Sequence, residues 1–147
     1  MRVSVIGSSN ATPEEAERAE AVGREIAAQG HELVCGGLDG VMKAAARGAT
    51  EAGGRTIGIL PSADRTTANE FIQVQIATGI GSMRNVMVVQ NGDGVIAVGG
   101  HYGTLSEIAH ALDVGLPVVG LDTHTVDGVT RVDSPERAVK TLERRRP

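Results

Sequence analysis

Aromatic side chains are almost missing from this chain: of its 147 residues one is Tyr, one is Phe and none is Trp. The core must therefore be Val, Ile, Leu, Ala and Met, and 20 glycines suit close packing of helices on a sheet. Cysteine is equally scarce. Cys35 alone forms neither an intrachain disulfide nor a cysteine-based zinc site, and its apolar strand setting reads as burial without reactivity. Lysine is confined to Lys43 and Lys140, neither placed for a strand-edge Schiff base, which disfavours pyridoxal chemistry. No run approaches the roughly 18 apolar residues of a membrane span, and Met1 to Ile6 leads into a strand rather than a signal peptide. The expectation is a cytoplasmic protein. Net charge is -4, and the basic run Arg144 to Arg146 reads as a solvated helix end, which argues against a nucleic-acid partner.

What the chain does contain is a regular alternation, with no linker or composition break, so residues 1–147 read as one domain. Residues 3–6 form a short apolar strand ended by Gly7-Ser8-Ser9. Thr12-Pro13-Glu14-Glu15 then opens a helix with a capping-box pattern and Pro at its first position. The unit repeats as a strand at 32–35, the turn Gly36-Gly37-Leu38-Asp39-Gly40 with Asp39 as N-cap, and an Ala-rich helix from Val41. A third strand spans 55–60, and a weaker fourth spans 71–77. Between them residues 62–69 are polar and aperiodic, a candidate mobile or ligand-covering loop.

The stretch 81–107 organises the rest. It reads as a helix carrying Arg84 and apolar on several sides, a buried strand at 94–98, a loop at 99–103, and a helix opening at Thr104. Gly99, Gly100 and Gly103 let successive backbone N–H groups turn to one point, at which the next helix aims its positive dipole end. An anion is the natural occupant. Glu107 has two readings, as the capping-box partner of Thr104 or as a carboxylate held beside the anion. Arg84 likewise reads as a solvated or interface charge, or as a partner of phosphate or Glu107. Leu105, Ile108, Ala109 and Leu112 recur at helical spacing and predict the buried face. A strand at 117–121, a tight turn at 126–129 and a final helix from Ser134-Pro135 complete the chain.

Strands and helices alternating at this spacing predict an α/β, Rossmann-like, doubly wound and mainly parallel sheet with helices on both faces. Ligands bind such sheets at the carboxyl ends of the strands, which brings Gly7, Ser8 and Ser9, Gly36 and Gly37, and Gly99 to Thr104 to one edge. G-x-G-x-x-G is absent, which disfavours NAD. So is the Gly-Lys-Ser/Thr phosphate loop. His31, His101, His110 and His124 lack ligand spacing, so neither a metal nor a resident cofactor is expected. His101 reads as a phosphate donor or an exposed loop residue, Tyr102 as a stacking or subunit-contact residue, and Ser8 and Ser9 as donors or turn formers.

Arg84 followed by G-G-H-Y-G-T-L-S-E, with G-G-L-D-G-V-M and I-G-I-L-P, resembles the LOG family of phosphoribohydrolases within a wider group that includes molybdenum cofactor carrier proteins. The resemblance implies a phosphate-gripping loop at Gly99, Gly100, His101, Tyr102, Gly103 and Thr104, and catalytic roles for Arg84 and Glu107 in cleaving the N-glycosidic bond of a nucleoside 5'-monophosphate. It departs at Gly99 and His101, where the signature has Pro and Gly, and at Asn85, where it has Lys. The alternative is a non-catalytic carrier of a phosphorylated pterin. Either implies a small phosphorylated ligand, and a homodimer or tetramer.

Overall fold

The computed structural model describes residues 1–145; Arg146, the last of the basic run, lies outside them. The elements follow as β1 (Arg2–Gly7), α1 (Pro13–Ala28), β2 (Glu32–Cys35), α2 (Val41–Glu51), β3 (Thr56–Leu60), β4 (Val74–Ala77), α3 (Arg84–Gln90), β5 (Gly94–Val98), α4 (Tyr102–Asp113), β6 (Val118–Leu121), β7 (Val129–Arg131) and α5 (Pro135–Arg145). All seven strands pair in parallel, in the order β4-β3-β2-β1-β5-β6-β7. The expected doubly wound sheet is what forms.

Alternation along each strand separates two cores. Val3, Val5, Leu33, Cys35, Ile96 and Val98 face α1, α2 and α5 in one cluster. Ile6, Val34, Ile57, Ile59, Val95 and Ala97 face α3 and α4 in the other. Because both faces are covered, the strands read as continuous apolar runs rather than alternating ones. Ser4 and Thr56 are polar exceptions, and the Ser4 Oγ donates to the Val88 carbonyl at 2.7 Å, tying β1 to α3. Gly23 and Gly48 let α1 and α2 touch: a Cβ on either would stand 1.9 Å from a backbone oxygen of the other helix.

Local chemistry departs from expectation at several ends. The α1 capping box is half made, since Glu15 N–H donates to Thr12 Oγ1 at 3.1 Å while the Glu15 carboxylate leans on Gly99 instead of returning to the cap. Asp39 does not cap α2. Gly40 holds that position at φ 66, a conformation costly for Asp, and no side chain caps the helix. The fourth strand is shorter than expected, because the Phe71 carbonyl and Gln73 N–H bond to Thr56 Oγ1 at 2.6 and 3.0 Å rather than extending the ladder.

The order reverses between β1 and β5: the chain winds outward through β2 to β4, then returns and winds the other way. Such a reversal leaves a crevice at the strands' carboxyl ends.

Candidate functional site

A cleft of about 300 Å3 opens at that reversal, lined by turns from β1 and β2, by α3 and by the start of α4. Of the residues singled out in the sequence, Gly7, Ser8, Ser9, Gly36, His101, Gly103 and Thr104 line it together with Arg84 and Glu107. Gly37, Gly99, Gly100 and Tyr102 lie outside its wall. The two G-G-x-x-G segments make different turns: Gly37 and Gly40 take positive φ in the first, Gly99 and Gly100 in the second. The second helix starts two residues sooner relative to its motif, at Tyr102.

That early start changes the expected role of Thr104. It is the third residue of α4, buried, and does not cap the helix; His101 holds the cap position without a side-chain bond. Leu105 N–H is the first to bond back, to His101 O at 3.0 Å, so the amides of Tyr102, Gly103 and Thr104 precede the helical ladder. The dipole end of α4 therefore meets the cleft uncapped, which is an anion-binding arrangement. The loop behind it is braced: Thr123 Oγ1 donates to Gly99 O at 2.6 Å, and His124 Nε2 lies 2.8 Å from His101 O. Ser8 is a turn former here, its Oγ bonding both the N–H and the carbonyl of Asn10, while Ser9 is exposed on the rim.

The buried stripe of α4 is Thr104, Glu107, Ile108 and Ala111, one position N-terminal to the expected one, and Ala109 is exposed. This offset carries Glu107 into the cleft at 9% exposure. It is not a capping-box partner. Burial lifts its carboxyl from 4.5 to about 7, opposed by the positive charge of Arg84.

Arg84 is not a solvated charge: it is buried within the chain, with 8% exposure. Its Nε donates to the Ile59 carbonyl at 2.8 Å, Nη2 to the Gly36 carbonyl at 3.3 Å, and Nη1 to Asn85 Oδ1. The guanidinium thus bridges the ends of β2 and β3. Gly36 permits this, because a Cβ there would stand 2.6 Å from Nη2. Beneath it Cys35 is fully buried, and burial pushes its thiol up to about 11, so it stays protonated.

Sequence reasoning missed the apolar floor of Leu38 and Met42, which had no signal beyond an ordinary helix start. Residues 62–69 do not line the cleft. Asp64 organises them by accepting from Thr66 N–H at 2.9 Å, and Asn69 braces the Gly37-Leu38 turn through Nδ2 to Leu38 O at 2.7 Å. No helix among the described residues is long and apolar enough to cross a membrane.

Residues 1–146 match the SLOG cluster4 family. An uncharacterized protein of Archaeoglobus fulgidus is 44% identical over 140 residues, covering 95% of this chain and 92% of that protein. The molybdenum cofactor binding protein from the phototrophic bacterium Rippkaea orientalis is 35% identical, with a TM-score of 0.92 over 97% of this chain and 95% of that one. The molybdenum cofactor carrier protein MCP from Chlamydomonas reinhardtii is 30% identical, with a TM-score of 0.83 over 97% and 94%. With a match that runs from β1 through α5, this chain belongs to the SLOG cluster4 family.

Proposed function

We propose that this protein binds a phosphorylated pterin of the molybdenum cofactor type and carries it without cutting a bond. The observation that carries this reading is the pairing of an uncapped α4 N-terminus with an arginine whose three donor groups are held by the protein itself. The first grips an anion. The second supplies a fixed positive field without a side chain free to follow a changing substrate. Two solved relatives at 30% and 35% identity, named for binding or carrying this cofactor, support the choice of ligand. In this reading the amides of Gly103 and Thr104 and the rim hydroxyl of Ser9 meet the phosphate, and Leu38 and Met42 give the ligand an apolar floor.

Hydrolysis of a nucleoside 5'-monophosphate is the second reading, and Glu107 is what favours it. A carboxyl titrating at about 7 can pass a proton to a departing base near neutral pH. The relatives weigh toward the carrier.

The deciding experiment is anaerobic purification from a host that makes the cofactor, with molybdenum counted by mass spectrometry and pterin by fluorescence after oxidation. Both are expected in wild type and lost in Ser9→Asp, which sets a negative charge on the rim. Release of free base from a nucleotide panel, abolished by Glu107→Gln, would reverse the order of the two readings.

We further propose a homodimer. Ile80, Met83 and Val86 are 46%, 73% and 41% exposed along one stretch, so the apolar surface expected around Arg84 is covered on one side only. A second copy is the occupant that such a stretch at a ligand cleft fits.

A further inference from the structure

A second cavity, of about 430 Å3, lies between α3 and α4, along Tyr102 to His110. It is continuous with the cleft, because Asn85, Gly103 and Glu107 line both. The helix accounts for the division. Gly103 and Glu107 are four residues apart and face the cleft, whereas Tyr102, Ser106 and His110, also spaced by four, form the neighbouring stripe along the annex. One helix thus carries two adjoining faces with different chemistry.

Two features of the second face bear on what it takes up, although its rim also adjoins Val86 of the proposed dimer surface. His110 Nε2 is buried and has no hydrogen-bond partner among the described residues, although a desolvated ring nitrogen is costly unless something meets it. Tyr102 is 87% exposed at the annex rim, in a chain with one other aromatic residue. From Gly103 to His110 the helix rises about 10 Å, comparable with the length of a nucleotide.

We propose that the annex is the ring subsite: it takes the flat heteroaromatic end of the phosphorylated ligand, with Tyr102 offering a stacking face and the His110 ring turning its buried Nε2 outward to hydrogen-bond the ring edge. Asn85 stands at the junction, and its Oδ1 is already engaged by Arg84, so its amide N–H groups point recognition toward an acceptor. The proposal rests on the phosphate-cleft reading above and adds to it the residues that select the ligand's other half.

The test is calorimetric titration with ribose 5-phosphate and with guanosine 5'-monophosphate, whose base shares the 2-amino-4-oxopyrimidine edge of a pterin. Wild type is expected to bind the nucleotide more tightly than the sugar phosphate. Tyr102→Ala and His110→Ala should each weaken nucleotide binding about tenfold and leave ribose 5-phosphate unchanged. Equal affinity of wild type for both compounds, or a parallel loss of both in the variants, overturns the ring subsite and spares the phosphate cleft. Failure of ribose 5-phosphate to bind wild type at all removes the phosphate cleft and this subsite with it.

Discussion

Arg84 and Glu107 line the same cleft, yet the arginine directs its guanidinium at the backbone rather than at the carboxylate: Nε donates to Ile59 O at 2.8 Å, and Nη2 to Gly36 O at 3.3 Å. Glu107 therefore feels a nearby positive charge without a hydrogen bond from it, which is why burial dominates and its carboxyl titrates so high.

Arg84 consequently supports the fold, whatever its proposed part in ligand binding. Arg84→Ala orphans two carbonyls at the ends of β2 and β3 and should destabilise the ligand-free protein by about 2–3 kcal/mol, read from urea denaturation. Arg84→Lys keeps the charge but not the planar fork, and should recover only part of that loss. Unchanged stability of the alanine variant would contradict the bridging role.

The raised carboxyl of Glu107 makes stability depend on pH with a defined sign. Its folded value, about 7, lies above the ordinary 4.5, so the native state holds the proton more tightly than the unfolded chain. The stabilisation is complete below about 4.5 and is lost as pH rises through about 7, a change of about 3 kcal/mol at most. Glu107→Gln stays neutral and should remove this slope. The check is the difference between wild-type and variant urea midpoints across that window, with the variant gaining on wild type toward pH 8.

The loop before α4 depends on backbone conformations that a side chain resists. Gly100 has φ 100, and a Cβ there would lie 2.3 Å from Thr104 Oγ1. Gly100→Ala should cost about 1–3 kcal/mol of stability and weaken ribose 5-phosphate binding, because Thr104 and the first amides of α4 must shift. Thermal unfolding and calorimetry report the two effects separately.

Light scattering tests the proposed dimer. Wild type is expected at twice the mass of the chain, and Met83→Glu with Val86→Glu at the mass of one chain with unchanged circular dichroism. A monomeric wild type would remove the proposal.

Much of this molecule follows from the sequence alone. Parallel winding was legible because apolar runs bounded by glycine alternate with helical periodicity, and each run needs both of its faces covered. The edge that carries the cleft was legible for the same reason, since turns after successive parallel strands must share one end of the sheet. Only the tertiary structure decided how Arg84 and Glu107 are held there. Whether T-x-x-E is a cap or a cleft carboxylate depends on where α4 begins, and Gly99 and Gly100 set that start by taking positive φ against Glu15 and Thr104. Two of the three partners of Arg84 are carbonyls 25 and 48 positions away, and a backbone carbonyl leaves no mark in the residue names. The annex is hidden in the same way: Tyr102, Ser106 and His110 share a stripe in any helix, but only the packing of α3 against it makes that stripe the wall of a cavity.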